Sequence, residues 1–280
     1  MAIHVALTHK TRYGFDRPVW IGPHTIRLKP APHCRTPIRD YSLDVTPQPQ
    51  TFHWQQDPQS NFVARCVFSE PATELLIGVA LTAEMVAINP FDFFIEPEAQ
   101  YFPFAYTPSL ARELGPSLEC EAQGPLMTAF LAELDRSPVG TIDFLVALNR
   151  FVRDRVAYIR RLEPGLQSCE ETLRLGSGSC RDSTWLLVQA ARHCGIAARF
   201  VSGYLIEPVP ERCDLHAWAD VYLPGAGWVG LDPTSGLLAG EGHVPLACSS
   251  DPLSTAPVTG SVAPCTVDFS HEMILRRLAP

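Results

Sequence analysis

Residues 176–195 read GSGSCRDSTWLLVQAARHCG, which predicts a reactive side chain mounted on the first turn of a buried helix. Glycines at 176 and 178 tolerate backbone angles or close approaches that other residues resist. Ser179 and Asp182 have the spacing of a capping box. Cys180 then falls at the first helical position, and Gly195 closes the helix as a C′ glycine. Leu187, Ala191 and Cys194 recur at helical spacing, so one face packs inward.

A thiol at a helix N-terminus meets unpaired amide donors and the positive end of the helix dipole, and both favour the nucleophilic thiolate. The same amides help to stabilise an oxyanion in acyl transfer. A free cysteine more commonly acts as a small buried hydrophobe. The glycine-rich approach and the cap turn the balance at Cys180 toward reactivity.

Partners for such a thiol lie downstream. Residues 215–223, LHAWADVYL, alternate as a strand does, with His216, Trp218, Asp220 and Tyr222 on one face. A Pro-Gly-Ala-Gly turn and GWVGLDPT follow, which predicts a hairpin. It supplies a histidine to take the thiol proton and an aspartate to fix the ring's tautomer and direction. Pairing Leu223 with Trp228 sets Asp232 opposite Ala219, however, and not near His216. Asp214 and Asp220 therefore remain alternatives to Asp232 at this stage.

The three blocks GSGSCRDSTWLLVQAARHCGIAARFVSGY, HAWADVY and GWVGLDPTSG together resemble the bacterial transglutaminase-like superfamily. The resemblance implies a papain-like core with a Cys-His-Asp triad at Cys180, His216 and Asp232. It also implies a bracing role for Asp182 at the nucleophile loop. Trp218 and Trp228 are expected to pack over the site and shield it. Tyr158 and the ETLRLGSGSC approach fit the same pattern.

At 280 residues, 46% hydrophobic and 19% charged, the chain suits one large or two modest folded domains. A net charge of −8 argues against nucleic-acid and anionic-membrane partners. The opening MAIHVALTHK lacks the layout of a signal peptide, and no apolar run reaches transmembrane length. Nine cysteines, an odd number without a CxxC pair, suggest a reducing cytoplasm and no metal site. His193 and Cys194 are adjacent in a helix and make a poor metal pair. No cofactor is expected.

The expected fold is α+β. Residues 1–105 form an antiparallel β-sandwich, from runs such as IHVALTHKTRYGF, HTIRLKP, YSLDVTP, NFVARCVFS and ELLIGVALTAEMVAI. Residues 106–280 form a papain/transglutaminase-like catalytic domain with a helical lobe and an antiparallel sheet. The first part also resembles the β domain that accompanies the bacterial enzymes, through IRLKP, SLDVTPQPQ and DPQSNFV, although Ser60 stands where the family commonly has glycine. That domain would frame a substrate groove or hold a protein partner. Residues 89–108 read as a linker pinned by aromatic residues.

In the helical lobe, Pro125 opens one helix and Thr141 caps another, whose inward stripe is Phe144, Leu145, Leu148, Phe151, Val152 and Val156. Arg181 and Asp182 are expected to pair on the exposed side of the Cys180 helix. Arg199 is expected to act as an ionic anchor, with binding of a substrate carboxylate as the alternative. Ser249, Ser250 and Asp251 replace a glycine-arginine-aspartate run of the family, and His243 and His271 are not needed for catalysis.

The expected chemistry is thioester-forming acyl transfer at a peptide or small amide, with hydrolysis favoured. Transamidation to an amine and a non-catalytic peptide-binding module are the alternatives. The sequence leaves the oligomeric state open.

Overall fold

The computed structural model describes residues 3–278 apart from Leu162. Its first half is built from alternating strands. In Ile3–Val19, Val5, Leu7, His9 and Thr11 point inward while their neighbours are more exposed. This strand pairs with Ala72–Met85, which pairs with Ile38–Thr46. A second antiparallel sheet runs Val258–Thr259, His24–Ile26, Phe62–Val67 and Thr51–Gln56. Leu75, Ile77, Val79 and Leu81 of the first sheet share a core with Ile26, Ala64 and Cys66 of the second. The result is the expected sandwich. The strand Thr51–Gln56 was not anticipated, because its alternation is limited to Phe52 and Trp54, and both of these remain exposed.

The helical lobe forms where periodicity placed it, with helices Pro125–Ala132, Thr141–Arg155 and Cys180–His193. Trp185, Leu186, Leu187, Val188, Ala190 and Ala191 of the last helix are buried against Phe144, Leu145, Leu148 and Val152. Each fully buried large apolar side chain stabilises by roughly 1.5–3 kcal/mol. Thr141 is the first residue of its helix and not the cap. Its hydroxyl donates to Ala99 O at 2.6 Å and ties the lobe to the linker. Phe102 stacks on Phe144 with ring centroids 3.6 Å apart, while Phe91 and Phe94 are exposed. The linker is thus pinned by only some of its aromatics.

A five-stranded antiparallel sheet follows, ordered Leu237–Leu238, Gly227–Asp232, Glu211–Leu223, Ala198–Pro208 and His243–Ser249. Ala198, Phe200, Ala217, Ala219 and Val221 join the helical core, whereas Tyr204 and Ile206 join the sandwich core. One sheet therefore contributes to both cores. The chain then returns to its beginning. Val267–Arg277 pairs with Ile3–Val19, from Phe15 opposite Val267 to Val5 opposite Arg277. A linear division at residue 105 does not include this pairing. Among the described residues, no helix is long and apolar enough to cross a membrane.

Candidate active site

The approach to Cys180 is set by two glycines with different duties. Gly176 has φ +59° and ends the helix Cys169–Leu175 in the left-handed region. Gly178 has no room for a side chain, since a Cβ there would lie 2.8 Å from the Asp182 Cβ. Residues 177–178 pair in parallel with 157–158, which steadies the segment before the helix.

The capping box is present, and Asp182 does more than cap. Its Oδ2 accepts from the Ser179 N–H and hydroxyl, each at 2.8 Å, while Oδ1 accepts from the Gln167 N–H at 2.8 Å. The Arg161 guanidinium grips both oxygens at 3.0 Å. Burial works against this charge, but Arg161 and the donors from Gln167 and Ser179 outweigh it and hold the carboxyl below its usual range. The expected pairing with Arg181 on an exposed face is therefore incorrect. Asp182 is fully buried, and Arg181 donates to the Arg161 and Glu163 carbonyls. Together these contacts fasten Arg161, Glu163 and Gln167 to the helix start.

The hairpin explains how Asp232 reaches His216. The turn holds three residues, not four, with Leu223 opposite Gly227 and Ala219 opposite Leu231. Gly225 and Gly227 take φ +89° and +75°, angles that suit glycine. The register shifts by one relative to the sequence expectation. Because side chains alternate, this moves Asp232 to the face shared by His216 and Trp218. A diagonal neighbour on one face is within reach of such side chains.

His216 Nε2 lies 3.2 Å from Asp232 Oδ2, with both side chains at least nine-tenths buried. The approach is a close charge contact and not an aligned hydrogen bond, because the Nε2 hydrogen direction meets no acceptor squarely. The Cys180 thiol is within hydrogen-bonding reach of the same ring. Burial opposes a charged imidazole here, but contact with Asp232 and Cys180 prevails and raises the His216 pKa to about 10. Asp232 shows the reverse shift: burial would raise its pKa, but the two histidines hold it far below the usual carboxylate range.

Asp232 is fixed from several sides. Oδ1 accepts from the Thr234 N–H at 2.8 Å, and Oδ2 accepts from the Ser235 hydroxyl at 3.0 Å. Asn149, buried on the helix Thr141–Arg155, donates to the carbonyls of Asp232 and Leu237 and anchors the turn from the helical lobe. No local motif marks this role, since Asn149 reads as an ordinary polar position between apolar residues of its helix.

The other acidic candidates are engaged elsewhere. Asp220 pairs with Arg199 at 2.8 Å, and the guanidinium lies over the Trp228 ring at 4.1 Å. Arg199 is thus the ionic anchor. Asp214 is exposed and accepts from the Leu215 N–H. Trp218 is 3% exposed and covers Gly203, where a Cβ would collide with its ring and with the Val244 carbonyl. Of the divergent Ser249–Asp251 run, Ser250 O accepts from buried Arg192, and Asp251 caps the short 3-10 helix Pro252–Thr255.

His243, set aside in the sequence, joins the site: its Nε2 lies 3.4 Å from Asp232 Oδ2. Its strand reaches the site by pairing with Ala198–Pro208, a long-range contact with no local motif to announce it. His216, Asp232 and His243 bring three ligand-type atoms within 4.8 Å of one another. Two histidines and a carboxylate are zinc-ligand chemistry, but a metal at His243 Nε2 needs that nitrogen unprotonated. The Gly240 N–H donates to Nδ1 at 3.2 Å and so leaves the ring proton on Nε2. The group fits a hydrogen-bond network and not a metal centre.

Comparison with known proteins agrees with this architecture. A family model for the bacterial transglutaminase-like N-terminal region matches residues 5–84. A second model, for the transglutaminase-like superfamily, matches residues 128–233. A crystal structure of a candidate cysteine protease from Cytophaga hutchinsonii shares the fold, with TM-score 0.74 and 19% identity over 100% of this chain and 92% of that one. An uncharacterized Mycobacterium bovis protein is 24% identical over 91% of this chain and 86% of its own. An uncharacterized Mycobacterium leprae protein is 23% identical over 91% of each chain. The two family-model matches support a bacterial transglutaminase-like architecture with an N-terminal β domain, and the Cytophaga structure shows the shared fold.

Proposed function

We propose that this protein is a cysteine-dependent acyl-transfer enzyme that acts on amides through a thioester, with Cys180 as nucleophile, His216 as acid and base, and Asp232 as the group that orients His216. The observation that carries the reading is the convergence of a thiol, an imidazole and a buried carboxylate at the start of one helix. A His216 ring that holds its proton through neutrality sets a positive charge beside sulfur. The Cys180 sulfur attacks the amide carbon, and N–H groups of the first helical turn receive the oxyanion. The C–N bond then breaks as His216 gives its proton to the departing amine. Water, deprotonated by His216, attacks the thioester and releases acid and thiol. Cys180 is only partly buried, so solvent reaches it, which favours hydrolysis of a peptide or isopeptide-like substrate. A primary amine in place of water gives transamidation with the same groups. Asp182 supports the nucleophile by fixing the turn before it, and Trp218 shields the ring pair.

Alkylation by iodoacetamide at each cysteine, followed by mass spectrometry at pH 6, tests the reading. Cys180 is expected to react well ahead of Cys120, the one exposed thiol among the described cysteines, and His216→Ala is expected to abolish that lead. If Cys180 reacts no faster than Cys120, or ignores the substitution, the nucleophile assignment is wrong.

A further inference from the structure

Asp232 Oδ2 is approached by two histidines, of which the proposed chemistry uses one. The second is held with unusual completeness. His243 Nδ1 accepts from the Gly240 N–H at 3.2 Å, and the His243 N–H donates back to the Gly240 carbonyl at 3.0 Å. This closed pair fixes the ring about its own backbone. Trp218 meets the ring edge to face, with centroids 5.1 Å apart and planes at 84°. Trp218 is itself seated where Gly203 and Gly230 leave out a side chain. The ring therefore has one orientation and, because Nδ1 is an acceptor, one neutral tautomer with its proton on Nε2.

We infer that His243 is a positioning residue: locked as the Nε2–H tautomer by Gly240, it donates to Asp232 Oδ2 and holds the carboxylate against which His216 is set. The inference rests on the proposed roles of Cys180, His216 and Asp232. Its chemical content is specific. A buried carboxylate with a loose oxygen can swing or take up a proton, and either change removes the support for a charged His216. Thr234 N–H holds Oδ1, while Ser235 and His243 hold Oδ2, which leaves the carboxylate no free rotation. A donor at position 243 is required, not a base. His216 and His243 thus differ in duty although both face one oxygen: the first exchanges protons with Cys180, and the second keeps its proton throughout.

Two measurements test this. Imidazole 15N NMR of the wild-type protein at neutral pH reports the tautomer directly. His243 is expected to show Nε2 protonated and Nδ1 bare, and a proton on Nδ1 overturns the proposal. This readout does not depend on Cys180 being reactive, so it separates failure here from failure of the acyl-transfer reading. The second measurement compares His243→Gln, whose amide keeps an N–H donor, with His243→Met, which has none. In Cys180 alkylation at pH 6, His243→Met is expected to slow the reaction about tenfold, the effect of one unit in proton affinity. His243→Gln is expected to recover most of the wild-type rate. Equal rates in the two variants would show that the donor does not matter and would overturn the inference.

Discussion

Asp182 and Asp232 are both buried carboxylates, and their partners give them different uses. Asp182 faces a fixed cation, Arg161, so its charge is structural. Removing one member of a buried pair leaves the other uncompensated and typically costs several kcal/mol. Asp182→Ala is therefore expected to lower unfolding free energy by roughly 3 kcal/mol in urea titration. Asp232 faces titratable rings, so its contribution depends on pH. The His216 pKa is raised from 6.5 to about 10 on folding. Its stabilisation is complete below pH 6.5 and disappears as pH rises through about 10. The stability gap between wild type and His216→Gln, a few kcal/mol at pH 6 on the order of the linkage relation, should close between these values. A gap that stays constant across this window would contradict the shift. Ser60 supplies a third test at this scale. Its φ is 65°, a left-handed angle that disfavours a side chain, and it stands where the resemblance places glycine. Ser60→Gly should raise the thermal midpoint, by about 0.5–1 kcal/mol of stability.

At the scale of elements, the helix Cys180–His193 was legible because every local signal agreed: glycine approach, capping box, apolar stripe and closing glycine. The sandwich strands were legible through their alternation. The Thr51–Gln56 edge strand was not, because neither of its faces is buried. Counting put Asp232 on the face away from His216, whereas the two lie 3.2 Å apart, since a one-residue difference in turn length reverses the face of every later side chain. His243 and Asn149 were out of reach because their roles depend on strand and helix contacts distant in sequence. The central sheet also carries a test of its own. Gly203 lies against the Val244 carbonyl and the Trp218 ring, so Gly203→Ala forces one of them to move. A loss of about 1–3 kcal/mol is expected from such overpacking, together with slower Cys180 alkylation as Trp218 shifts. Unchanged stability would mean that the strand yields freely there.

Across the whole molecule, the sandwich and the five-stranded sheet share material. Tyr204 and Ile206 lie in the sandwich core, and the Tyr204 hydroxyl meets His9 Nδ1 at 2.9 Å. Burial, with a smaller contribution from His271, lowers the His9 pKa to about 4, so this contact between the halves stays neutral at ordinary pH. Residues 1–105 also lack the strand Val267–Arg277 that covers Ile3–Val19. Thermal unfolding followed by far-UV dichroism and by tryptophan fluorescence is expected to give one coincident transition. Two separated transitions would show that the halves are energetically independent.

The return of Val267–Arg277 to the first strand also bears on the order of events at the ribosome. Ile3–Val19 is made well before one of its two neighbours, Val267–Arg277, because the helical lobe and the five-stranded sheet lie between them in sequence. Until then its open edge, a ready template for wrong pairing, has to be kept from other nascent chains. Completion of the sandwich therefore waits until the segments that carry the thiol have been made.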